Sequence, residues 1–178
     1  MAGRPRGYGG KRKTDLNKFM KMEKRIIVCG IICNGDKILL GKKAKGIPPY
    51  PDVWHTLGGG VKDIEKTEQL LLGEEYNNEY FLKELKRELK EEAKIKINNP
   101  INICPKYRKN PREAVTENKY GITTQYIFLE YLCDIDLSGG NSKPGDDIAE
   151  LQWVERKNLK KVKLTPPSQE MYKELGWI

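Results

Sequence analysis

The chain lacks a run of about 20 apolar residues, so nothing in it reads as a membrane-spanning helix. It also lacks the basic start, apolar stretch and small-residue cleavage site of a secretory leader, and the expected compartment is cytoplasmic. Cysteine is scarce: Cys29, Cys33, Cys104 and Cys133 fall singly in apolar segments with no CxxC pair, which points to buried thiols rather than a zinc site or a disulfide framework. His55 is the one histidine, read as a strand residue with a satisfied ring. What is present is charge, 33% of 178 residues beside 38% hydrophobic, as in a soluble globular domain large enough to fold without staples.

The net charge of +8 is unevenly placed. Nine Lys and Arg stand against Asp15 and Glu23 before residue 26, so the body that follows is nearly neutral. Residues 1–23 read as a basic, flexible tail, with RNA as a possible contact through phosphate charge, and residues 24–178 as one domain. Tyr8 is the tail's only aromatic before Phe19, which leaves a solvated tail without a partner as the simpler reading.

Along the body, RIIVCGIICNGDKILLGKK reads as a hairpin turning at Asn34, Gly35 and Asp36. AKGIPPYPD is loop. WHTLGGGV is a short apolar stretch running into three glycines, where the chain must turn or pass close to another group. From Asp63 to about Asn78 the pattern is polar apart from three leucines and fits no element. From Glu79 to Ala93 it becomes helical, with Leu82, Leu85, Leu89 and Ala93 as one apolar stripe. A strand-like IKINNPINICPKY, a charged loop KNPREAVTENKYG, a long strand TTQYIFLEYLCDI, a glycine-rich loop, a strand IAELQWVE and a closing helix PPSQEMYKEL complete the chain. Aromatics such as Trp54, Tyr107, Tyr126 and Trp153 could stack on a base, with core packing the default.

The chemistry sits in the helix. Glu88, Glu91 and Glu92 occupy positions i, i+3 and i+4, and three carboxylates on one face repel unless a cation joins them; Mg2+ or Mn2+ suits such oxygen donors. Arg87, four residues before Glu91, can hold a carboxylate. Lys86, Lys90 and Lys94 could instead neutralise the cluster in solvent, so the helix alone leaves both readings open.

Spacing adds to this. Glu79, Arg87, Glu88, Leu89, Glu91, Glu92 and Ile95 resemble the Nudix box, in which a glycine, five residues, a glutamate and seven residues precede REUxEExGU, with U aliphatic. Gly73 also matches by spacing, but WHTLGGGV looks like the tryptophan, strand and glycines that open the box in relatives, which implies an insertion at about residues 63–78. Lys94 stands in place of the last glycine of the box, where a left-handed cap is expected.

The resemblance covers approximately Lys24 to Trp177 and implies an α/β (α+β) fold, an α/β/α sandwich with a mixed sheet between helices. It implies hydrolysis of a nucleoside diphosphate linked to another group, with a metal, Mg2+ or Mn2+, on Glu88, Glu91, Glu92 and the Gly60 carbonyl. Glu91, Arg87 and Glu79 take catalytic roles in that reading, with Glu91 the base, while Trp54, Gly59 and Glu150 line the substrate site. Other acids considered for the base are Glu113, Glu117, Asp146, Asp147 and Glu150. The rival is a module that binds a nucleotide or RNA without cutting it; a monomer or a homodimer is compatible with either.

Overall fold

The computed structural model describes residues 22–72, 79–103, 112–117, 123–136, 138 and 141–178. The expected basic tail therefore lies outside the described residues up to position 21, and strand β1 already begins at Met22. Tyr107, Cys104 and Gly73 also lie outside them.

Strand β1 (Met22–Asn34) turns through Gly35 and Asp36 into β2 (Lys37–Lys43), the hairpin expected from its paired apolar runs. β3 (Trp54–His55) and β4 (Leu57–Gly60) follow, then α1 (Ile64–Leu72) and α2 (Glu79–Ala93). β5 (Lys96–Asn102), β6 (Arg112–Glu117), β7 (Thr123–Asp136) and β8 (Ile148–Glu155) lead to a short 3-10 turn, Arg156–Lys161, and to α3 (Pro166–Glu174).

One mixed eight-stranded sheet results. The two long strands, β1 and β7, run parallel over twelve residue pairs and form its centre. Each divides its other edge between two partners: β1 pairs with β4 through Ile27–Gly30 and with β2 beyond, and β7 pairs with β6 and then with β5. Strand alternation sorts the side chains onto two faces. Ile26, Val28 and Ile32 join Leu39 and Leu57 under α2, whereas Ile31, Cys33, Ile38 and Leu40 pack with Leu159, Met171 and Tyr172 on the α3 side. This is the sandwich expected from the sequence. Cys29, Cys33 and Cys133 are buried and in no disulfide, also as expected.

Three expectations are corrected. The segment read as a charged loop holds β6, whose backbone pairs with β7 from Arg112↔Phe128 to Glu117↔Thr123; an open strand edge accepts a charged partner because the ladder is made by the backbone. The stripe of α2 runs through Phe81, Leu85, Leu89 and Ala93, all fully buried, with Leu82 only half-buried, since a strict four-residue step keeps one row of the helix against β1. There the absent side chain of Gly30 lets Leu85 and Leu89 come within 3.3 and 3.4 Å of where a Cβ would stand.

The third concerns the insertion. Its first part is a helix, α1, capped at its start by Asp63, whose Oδ1 accepts from the Lys66 amide at 2.9 Å. Leu70 and Leu71 lean on the α2-side core, Lys24 pairs with Glu68, and the Asp63 amide donates to Tyr80 Oη at 3.2 Å. The segment read as an insertion thus packs on the α2-side core through α1; residues 73–78 lie outside the described residues.

Candidate functional site

The glycine run and α2 form the site together. Glu88 is buried with its carboxylate directly over Gly59: a Cβ there would stand 2.4 Å from Glu88 Oε2. The Gly58 amide donates to Glu92 Oε2 at 2.7 Å. Arg87 gathers the rest, giving Nη1 to Glu91 Oε2 at 2.8 Å and Nη2 to Glu84 Oε2 at 3.0 Å, to the Gly60 carbonyl at 3.2 Å, and to Glu88. Lys86 and Lys90 lie on another face of α2, beside Lys96, Ile95 and Ile97, so they do not neutralise the cluster.

The β3–β4 segment is fixed from the α3 side. Thr165 donates its amide to the Trp54 carbonyl at 2.8 Å, Ser168 Oγ accepts the Thr56 amide at 3.1 Å, and the Thr56 and Tyr172 hydroxyls meet at 3.2 Å. Those bonds hold the strand that presents the three glycines.

Electrostatics follow from burial. Desolvation pushes the Glu92 carboxyl up to about 8, against the Gly58 amide, and Glu88 adds to the rise. Desolvation also raises Glu88, although the hydrogen bond and charge of Arg87 pull it down. Burial opposes the charge of Arg87, yet bonding to Glu84 and Glu88 prevails and its pKa rises. Three carboxylates thus share one guanidinium, with Glu92 beside them on the Gly58 amide, a set of hard oxygen donors with room for a divalent cation in charge terms. Among the described residues no three His, Cys, Asp or Glu side chains converge on one point; Glu84, Glu88 and Glu91 each turn to Arg87, and Glu92 turns to Gly58.

The remaining expected residues are dispersed. Glu79 is exposed at the first position of α2, nine residues before Glu88, or about 14 Å along the axis. Trp54 packs against the α3-side core, and Lys42 Nζ lies 5.9 Å from its ring centre while pairing with Glu150 at 3.0 Å and Asp52 at 2.9 Å. Trp54 and Glu150 therefore meet through Lys42, which the sequence reading did not single out. Trp153 leans on the α2-side core and Tyr126 stacks on Phe128, so packing accounts for both. His55 is buried with Nδ1 2.9 Å from the Thr56 carbonyl, and burial lowers its pKa; its Nε2 has no partner among the described residues, so the ring is only half satisfied.

Asp146 and Asp147 do lie near the cluster, as the fields felt by Glu88 and Glu92 show. Their loop caps the end of α2: the Lys143 amide donates to the Ala93 carbonyl at 2.9 Å and the Gly145 amide to the Glu92 carbonyl at 2.8 Å. Asp147 pairs with Lys43 at 2.5 Å. Glu84 is the site member the sequence reading missed. Its only signal was the three-residue step to Arg87, which any Glu/Lys/Arg-rich helix offers many times over.

Lys94 closes the helix in the left-handed conformation, φ 58°, that the glycine of the box would adopt freely. Its Nζ donates back to the Glu91 carbonyl at 3.0 Å. Lys94→Gly is expected to stabilise the protein by about 0.5–1 kcal/mol, because removing the Cβ strain outweighs one exposed hydrogen bond. A higher urea midpoint at constant slope checks this; a lower midpoint would show the Nζ bond to be the stronger effect.

Comparison with known proteins agrees with the geometry. A family model described as the NUDIX domain matches residues 23–175. The curated protein "Nucleoside triphosphatase NudI" of Enterobacter sp. (strain 638) is 26% identical over 159 residues, covering 88% of this chain and all of that protein. The crystal structure of a MutT NUDIX hydrolase from Burkholderia pseudomallei superposes with a TM-score of 0.58 at 18% identity, covering 86% of this chain and 98% of that one. A MutT protein from Methanosarcina mazei Go1 gives 0.55 at 18% identity, over 86% and 93% of the two chains. With the family model spanning residues 23–175 of the 178, the chain belongs to the Nudix family and is a Nudix hydrolase.

Proposed function

We propose that the protein hydrolyses a phosphoanhydride bond in a nucleoside diphosphate linked to another group, a class that includes nucleoside triphosphates, on which the NudI relative is named as acting. The observation that carries this is the gathering of Glu84, Glu88, Glu91 and the Gly60 carbonyl on Arg87, with Glu92 held beside them by Gly58.

Nudix hydrolases generally use divalent metals such as Mg2+. The residues here fit one: Glu88 and Glu92 are buried carboxylates that lack a full countercharge, and Gly59 leaves no side chain over Glu88. Glu88, Glu91, Glu92 and the Gly60 carbonyl would hold Mg2+ or Mn2+, which when bound supplies positive charge beside the diphosphate oxygens. Glu91 is the most exposed of the three, its side chain 48% accessible, and Arg87 occupies its Oε2. Its other oxygen takes the proton of the attacking water as the water oxygen bonds to phosphorus and the bridging oxygen departs with the leaving group. Arg87 orients that glutamate. The catalytic role of Glu79, the roles of Trp54, Gly59 and Glu150 in holding substrate, the domain limits at 24–178, and RNA contact by the tail remain part of the same proposal.

A screen of nucleotide derivatives with Mg2+ and with Mn2+ tests it, with product release read for the wild type and for Glu91→Gln. At least one derivative should be cleaved, and the variant should be slower by a factor of about 100 or more. No release from any derivative, with nucleotide still bound, would replace hydrolysis by a binding role.

A further inference from the structure

We propose that Glu84 is a positioning residue whose negative charge occupies the Arg87 guanidinium and so keeps Arg87 from neutralising Glu88 and Glu91, leaving those carboxylates for a divalent cation. The inference rests on the metal reading above and assigns a role to a residue outside it.

Arg87 is the only basic side chain bonded to the cluster among the described residues, and it touches three carboxylates. Its Nη2 is divided among Glu84, Glu88 and the Gly60 carbonyl. A guanidinium with only Glu88 and Glu91 as partners would spend its whole charge on two groups proposed to hold the metal, and the cation would have to compete with it. Glu84 prevents this. It is buried, it lies on the preceding turn of α2, and it is tethered by the Lys62 amide, which donates to the same Oε2 at 3.2 Å. That tether joins the chain just after the glycine run to α2, so Glu84 also fixes where Arg87 reaches the Gly60 carbonyl.

Both bonds to Glu84 end on one oxygen. Glutamine at this position can keep both while losing the charge, which separates the electrostatic role from a mere tether. The full chain is titrated with Mn2+, free ion being read by electron paramagnetic resonance, and melting is measured in parallel without metal. For Glu84→Gln the Mn2+ dissociation constant should rise about tenfold with little change in Tm. In the Glu84→Gln/Arg87→Gln pair the affinity should return towards the wild-type value, since no guanidinium remains to compete. If the wild type binds Mn2+ and Glu84→Gln binds it equally well, or only Tm falls, the proposed role of Glu84 is wrong while the metal site stands. If the wild type binds no Mn2+, the reading of the site itself fails and this role fails with it.

Discussion

Replacing Glu92 with glutamine is expected to make the metal-free protein more stable while removing its activity. The folded carboxyl titrates at about 8 because burial disfavours its charge, against an ordinary value of 4.5. Between those two pH values the native state keeps a proton that the unfolded chain releases. Stability is therefore unaffected below about pH 4.5, declines as pH rises, and levels off above about 8. At pH 7 the loss amounts to about 3 kcal/mol. Glutamine has no charge to desolvate, and its oxygen can still accept the Gly58 amide. The variant should melt about 10 °C higher than the wild type at pH 7 in chelator, and the fall in Tm between pH 5 and 8 should largely vanish. Hydrolysis should drop about a thousand-fold, because a neutral amide is a poor partner for a hard cation. Melting curves across pH, beside product release, decide the matter: a variant that melts below the wild type throughout this range would show that Glu92 stabilises the fold as an ionised group.

The three glycines at 58–60 should give three different outcomes when each is replaced by alanine. Gly58 has φ 138°, and a Cβ there would stand 2.1 Å from the Val28 carbonyl oxygen of the neighbouring strand, a backbone atom that cannot turn aside. Gly58→Ala should cost about 4 kcal/mol or more, enough to leave much of the protein unfolded. At Gly59 the obstacle is the Glu88 carboxylate, the end of a side chain that can swing away. Gly59→Ala should fold within about 1 kcal/mol of the wild type yet lose about 100-fold in activity, since a displaced Glu88 spoils the cluster. Gly60 has open space where its Cβ would point and keeps its carbonyl on Arg87 whatever the side chain. Gly60→Ala should stay within about 0.5 kcal/mol of the wild type and remain active. Denaturant midpoints and turnover for the set test the assignment of roles; equal losses at all three positions would refute it.

The contrast among these glycines shows where sequence reading reaches its limit. The run itself, the carboxylates at i, i+3 and i+4, and the apolar stripe of α2 at three- and four-residue steps are local patterns, so their elements could be placed from the chain alone, though Phe81 rather than Leu82 opens the buried row. The family box could be read because the distances inside it, from Glu79 to Ile95, are unbroken. The missing glycine at Lys94 left the helix exit open from the chain alone, and the structure shows the backbone there left-handed with a lysine in place.

Other features depended on contacts between distant segments. Strand β6 reads as charged loop until β7 offers it a free edge, and α1 has too mixed a pattern to be placed without the core that Leu70 and Leu71 cover. Glu84 matters only because the Lys62 amide and Arg87 reach the same oxygen. The sequence by itself determined which residues could carry the chemistry, because helical spacing alone puts three carboxylates on one face. The tertiary structure decided what surrounds them, because burial, the glycine strand beneath Glu88 and the sharing of Arg87 arise only when segments far apart in the chain are packed together and water is excluded.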